Sequence, residues 1–268
     1  MTRRRFPVGK TLLYVFMSLW ALTTIYPFIW VILNSFKPRG LIRSDTFSLP
    51  IGDKFTLENY VTAFKRVDIG TAYVNSIVIS GAVTVVVMVL AGLAAYAMVR
   101  YSFRLRGFLH SMIIASMMFP VFSTIIPVFR MESSWGIVNT GSIWLTRLSV
   151  VLPQIAGNLS FAIIVLMGFI RSLPVDLEEA AYLEGYNVYQ IFFRIIMPLA
   201  KPSFATVGIF TFLWSYNDLF LQMFFLRSKK FFTITRLLNE ISSQAGTNYG
   251  LMVAAVVMVV IPVLVVYI

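Results

Sequence analysis

The chain has 268 residues, of which 59% are hydrophobic and only 12% charged, against about 25% charge in an ordinary soluble domain; this much apolar surface needs lipid around it, and at roughly 20 residues per crossing the length suits about six spans. The formal net charge of +11 does not read as a nucleic-acid face, because the cations sit between apolar runs, where they meet anionic head groups. Cysteine is absent and His110 is the only histidine, which excludes disulfides, thiolate metal sites, cysteine nucleophiles and multi-histidine metal sites.

The start, MTRRRFPVGK, looks like the basic region of a signal peptide. The apolar run behind it is too long for one and lacks a small-residue cleavage site, so it reads as an uncleaved first span. Apolar runs at about 11–33, 73–98, 108–130, 149–170, 203–226 and 251–268 predict six helices. Pro27, Pro120, Pro127 and Pro153 fall inside or at the ends of these runs, and each frees a carbonyl that a neighbour must satisfy in lipid. In the second run, Gly81, Ala82, Ala91, Gly92, Ala94 and Ala95 are small enough to let helices approach closely. Ordinary membrane-helix packing accounts for most of these features. The cations divide almost evenly between the two sides. Arg3, Arg4 and Arg5 before the first span, with the uncompensated Arg100, Arg104 and Arg106, put the N-terminus in the cytoplasm; six spans return the C-terminus there.

Residues 171–202, RSLPVDLEEAAYLEGYNVYQIFFRIIMPLAKP, are too polar to span and well punctuated. Asp176 with Glu179 has the spacing of a capping box, and Glu178 and Glu179 fall in a first helical turn, where the dipole favours acids. Gly185 suits the position just past a helix end. Asn187 with Gln190 forms a second capping-box pattern. Val188, Ile191, Phe192, Ile195 and Ile196 then follow as one helical stripe, which Pro198 is expected to stop. The pattern predicts helix, glycine turn and amphipathic helix. Such a stripe can lie on the bilayer surface. It can also dock a soluble partner, which Ala180 and Ala181 beside Glu179 favour: they form a shallow ridge with an acid ready to pair.

Here the chain resembles ABC importer permeases, which carry E-A-A, three residues, Gly, nine residues and Ile-x-Leu-Pro on the cytoplasmic side. The chain reads Glu179-Ala180-Ala181, Gly185 and Ile195-Ile196-Met197-Pro198 at those spacings, departing only at Met197. NSFKP at 34–38, TLENYVTAF at 56–64, NSIVIS at 75–80, AAYAMVRYSF at 94–103, IPVFRMESSWGIVNTGS at 126–142 and WSYNDLF at 214–220 are similar to the carbohydrate-uptake branch, the maltose-type G permease in particular. In the last stretch Tyr216 stands where the branch has Trp, and Trp214 lies further back. The resemblance implies an all-α bundle of about six transmembrane helices forming one permease domain over 1–268, with a coupling loop at about 171–202. It implies a second permease subunit, two ABC ATPase subunits, an extracytoplasmic solute-binding protein, a sugar substrate and a bacterial or archaeal plasma membrane. Trp214, Asn217 and Asp218 become the possible substrate path; Asn217 and Asp218 are expected to face the bundle interior, Asp218 about 22 Å along the fifth span, either lining the path or pairing with a neighbouring helix.

No GxxxxGK[ST] loop occurs, so the chain itself is expected to be no enzyme and to need no cofactor, with any ATP site on a partner. The runners-up are a gradient-driven secondary transporter, which needs intramembrane coupling groups, and an ABC permease for a solute other than sugar. The last run, 251–268, rises about 27 Å, just short of a hydrocarbon core of about 30 Å. The resemblance implies that the chain continues past Ile268 into a short basic, glycine-containing tail. Reading the encoding frame checks this expectation, and a stop directly after Ile268 contradicts it.

Overall fold

The computed structural model describes residues 8–66, 68–245 and 248–267; the three N-terminal arginines and Ile268 lie outside these, and with them the expectations placed on both ends. Among the described residues every regular element is helical. The chain divides into two compact units, one built from residues up to Asp68 and from Leu238 to Val265, the other from Ile69 to Leu237.

In the first unit, α1 (Val8–Ser35) is long and apolar enough to span a membrane, and its side chains from Leu12 to Ile29 are exposed, as suits a lipid-facing helix. The NSFKP stretch ends it in a polar knot. Lys37 is fully buried and donates to the carbonyls of Asp45 at 3.0 Å and Thr46 at 2.8 Å. On α2 (Glu58–Arg66), Asn59 donates to the carbonyls of Ser35 and Lys37. These bonds answer the cost of burying a charge and two free carbonyls.

The second unit centres on α3 (Ile69–Arg100), 32 residues long. The next elements are α4 (Arg106–Ser116), α5 (Val121–Ser134) and α6 (Ile143–Ser172). They are followed by α7 (Asp176–Leu183), α8 (Val188–Leu199), α9 (Lys201–Asn217) and α10 (Leu219–Phe225). The chain closes with α11 (Ile234–Ala245) and α12 (Tyr249–Tyr267), the latter in the first unit up to Val265. Helix α3 packs against both α6 and α9. Its contact ridge is Ile79, Val83, Val87, Ala91 and Ala95, spaced by four and all buried, the row that interdigitates with a facing helix. At one end of α3, Asn75 donates to the carbonyls of Lys230 at 3.1 Å and Phe232 at 3.0 Å and accepts from Arg147 at 2.9 Å. Ser76 accepts from the Ile234 N–H at 2.8 Å.

Two predicted spans are not continuous helices. The run at 108–130 is α4 and α5, bent by 103°. Pro120 sits at the break in extended geometry, φ −68° and ψ 123°, and a proline disfavours α geometry in the residue before it. The run at 203–226 is α9 and α10, separated at Asp218. The helix meant to stop at Pro198 instead runs to Leu199, where it bends by 82° into α9. A proline ring at 198 clashes with the carbonyl four residues back; the π turn at Phe192–Ile196 carries that carbonyl off the α-helical path.

The small-residue stripe is used unevenly. A Cβ added at Gly92 would meet Phe204 at 2.8 Å and Phe192 at 2.9 Å, whereas Gly81 has nothing within 4 Å. At Gly208 the nearest atom is the flexible Met88 sulfur at 3.1 Å. Gly92→Ala is therefore expected to lower stability by about 1–3 kcal/mol through overpacking, and Gly208→Ala by less, because methionine repacks. Thermal unfolding of the solubilised protein compares the two, and equal melting points contradict the assignment.

Candidate functional site

Two regions gather the residues singled out by the sequence. The first is the hairpin of α7 and α8. Its turn is fixed by Gly185 at φ +85°, with the Gly185 N–H donating to Tyr182 O and the Tyr186 N–H to Ala181 O, each at 3.0 Å. That bond pair closes a helix C-terminus through a left-handed residue, which glycine adopts without strain. The second arm begins in a complete capping box: Asn187 and Gln190 each donate a backbone N–H to the other's side chain at 2.9 Å. The first arm does not. Asp176 is already helical and makes no capping bond, because Val175 stands at the cap position in helical geometry and its carbonyl takes the N–H groups of Glu178 and Glu179.

Of the candidate residues, Glu179 and Ala180 are exposed, Ala181 is buried, Ile195 is half-buried and Pro198 is exposed. Leu183, two residues before the glycine, is 91% exposed. This outward face is a small-residue ridge with an acid and an unpartnered leucine at its tip. The inward face carries what the sequence reading passed over. Glu178 is 4% exposed, accepts from Tyr96 Oη at 2.8 Å and pairs with Arg100 Nε at 2.5 Å. Arg100 also donates to Leu173 O at 2.9 Å. The Tyr101 and Tyr182 hydroxyls lie 3.0 Å apart, and that bond, with burial, pushes the Tyr182 phenol up.

The second region is a pocket of about 490 Å³ lined by Trp214, Asn217 and Asp218 together with Gln154, Asn158 and Phe161. Asp218 does not lie within a continuous span. It ends α9 and caps α10, accepting the Leu221 N–H on Oδ1 at 3.1 Å and Gln154 Nε2 on Oδ2 at 3.0 Å. Gln154 in turn accepts from Ser215 at 2.6 Å. Capping residues such as Asp end one helix and start another, which is why the apolar run breaks there. Trp214 meets Phe161 edge-on at 4.8 Å, and Asn217 is exposed beside them. Aromatic faces with amides and a carboxylate suit a polar ligand that offers both C–H faces and hydroxyls.

A family model described as binding-protein-dependent transport system inner membrane component matches residues 87–268. The diacetylchitobiose uptake system permease protein NgcG of Streptomyces coelicolor is 34% identical over 256 residues, covering 95% of this chain and 82% of that protein. The trehalose transport system permease protein SugB of Mycobacterium tuberculosis is 31% identical over 243 residues, covering 90% and 85%. A crystal structure of a bacterial ABC transporter involved in the import of the acidic polysaccharide alginate matches the fold with a TM-score of 0.82 at 23% identity, over 100% of this chain and 96% of that one.

Asp218→Ala removes the cap and the Gln154 acceptor together, and is expected to cost about 1–2 kcal/mol. Asp218→Asn keeps a capping oxygen and should cost less, about 0.5 kcal/mol. Thermal unfolding of both purified variants checks the order; no loss in Asp218→Ala would show that α10 does not depend on this cap.

Proposed function

The chain belongs to the family of inner membrane components of binding-protein-dependent transport systems, and from that premise we propose that it is the sugar-conducting permease subunit of an ATP-driven importer. It pairs with a second permease subunit. Two ATPase subunits bind on the cytoplasmic side, where both termini lie, and a solute-binding protein delivers substrate on the other. The relatives named for diacetylchitobiose and trehalose support a short oligosaccharide as the cargo. The pocket at Trp214, Asn217 and Asp218 forms part of its path, its aromatic faces and amides matching a sugar's C–H faces and hydroxyls.

One observation carries the reading. The hairpin keeps a fixed shape through a closed glycine turn and a complete capping box, yet presents Glu179, Ala180 and Leu183 outward. A rigid element with an exposed ridge is a lever: Glu179 and Ala180 seat in a groove of the ATPase, Ala181 packs behind them against the protein, Gly185 sets the angle, and Ile195 and Pro198 lead the second arm into α9. Transport then follows alternating access, with closure of the ATPases drawing the hairpins together. The rival is a hairpin lying on the bilayer surface. Its stripe is only partly available for lipid, since Ile191, Phe192 and Ile196 are buried inside the protein.

Gly185→Val tests the lever. A Cβ there meets nothing within 4 Å, so the substitution acts through the positive φ alone, at about 1–2 kcal/mol. Membrane insertion should stay normal and uptake fall sharply, with the ATPases either lost on co-purification or hydrolysing without transport. Glu179→Ala should act in the same direction but more weakly, because exposed pairs contribute about 1 kcal/mol or less. Wild-type uptake and full ATPase retention in Gly185→Val, with damage only from Val188→Asp or Ile195→Asp, would favour the membrane-surface reading.

A further inference from the structure

We infer that Glu178 and Arg100 are the positioning pair through which movement of the hairpin reaches α3, and that α3 carries it to the segment at 230–234 on the opposite side of the membrane. The inference rests on the coupling reading above and deepens it, because it separates two adjacent acids: Glu179 faces the partner and Glu178 faces the bundle.

The hairpin is continuous in sequence with α6 before it and α9 after it. Its tie to α3 is made by side chains alone, and both arms take part. From the first arm, Glu178 uses one carboxylate oxygen for Tyr96 and the other for Arg100. Arg100 reaches back to Leu173 O, so one guanidinium holds both the link between α6 and α7 and the buried acid of α7. From the second arm, Phe192 packs on Tyr96 with ring centroids 5.6 Å apart. Phe192 and Phe204 also close over Gly92, where any side chain would collide. The end of α3 is thus gripped from Gly92 to Arg100.

Two physical facts turn the grip into a linkage. A carboxylate and guanidinium taken out of water cannot separate without leaving a buried unpaired charge, whereas an exposed pair exchanges its partner for water at little cost. The two ends of this pair therefore move together. Helix α3 is also one uninterrupted rod of 32 residues, about 48 Å long. Its far end is fastened in the same way: Asn75 to the carbonyls of Lys230 and Phe232, and Ser76 to the N–H of Ile234. A displacement entering at Arg100 leaves at the segment that follows α10.

The test uses the assembled transporter with its ATPase and solute-binding protein. The chain has no cysteine, so Ser228→Cys, exposed two residues before Lys230, gives this subunit a single reporter thiol. Glu178→Gln keeps the size and the bond from Tyr96 but removes the charge. The expected result is insertion and ATPase co-purification within about twofold of the parent, uptake per ATP hydrolysed reduced about tenfold or more, and loss of the ATP-dependent change in Ser228→Cys labelling. Arg100→Lys keeps the charge, gives up the link to Leu173 and should behave in the same direction; it replaces Glu178→Gln if that variant fails to insert. Parental uptake per ATP with an intact labelling change overturns the inference. So does loss of ATPase co-purification in Glu178→Gln, which would make Glu178 a docking residue. Failure of the unmutated chain to hold an ATPase would instead strike the coupling reading itself, and is recognisable because it needs no variant.

Discussion

In a hydrocarbon interior every backbone N–H and C=O must find a partner within the protein, and this requirement shapes the second unit most at the points where helices stop. At Pro120 the chain turns by 103°, and Ser123 N–H returns to Pro120 O at 3.0 Å. At Ala200 the N–H still reaches Ile196 O at 2.8 Å before α9 begins at Lys201, with Pro202, which has no N–H to leave open, in its first turn. At Asp218 the side chain supplies the acceptor that the interrupted helix lacks. A break sealed in this way draws polar side chains together, and Gln154, Ser215 and Asp218 converge there beside Trp214. The candidate path lies where the helix could not continue.

The same requirement governs charge. Lys37 is buried against two carbonyls and Glu178 against an arginine and a tyrosine; neither would persist without those partners. In the hairpin this separates the labour of two neighbouring residues by the side of the helix on which they fall. Consecutive residues on a helix point about 100° apart, so the two acids of the doublet can fall on different faces, and here Glu178 is buried while Glu179 is exposed.

Local patterns proved the most legible part of the sequence. The Asn187–Gln190 box and the Gly185 turn each lie within a few residues, and their chemistry permits few alternatives. The apolar runs located the helices, but hydropathy is blind to direction, so the bends at Pro120 and Ala200 and the cap at Asp218 did not show in it. Asp176 misled because the box spacing says nothing of whether the preceding residue is already helical. The Glu178–Arg100 pair joins residues far apart in the chain, and no local pattern marks it; the doubled acid before Ala180 and the lone cation closing AAYAMVR were its only traces. Asn75 and Ser76, noticed only as part of a resemblance, fasten one end of α3.

The central claim is that transport through this chain is driven by ATP on a partner rather than by an ion gradient. Its most direct measurement is oligosaccharide uptake into proteoliposomes holding this chain with its second permease subunit and ATPase, with the solute-binding protein supplied on the opposite face from ATP. The account predicts uptake that requires both ATP and the binding protein and that survives collapse of ion gradients by ionophores. Uptake that proceeds without ATP and vanishes with the gradient would contradict it.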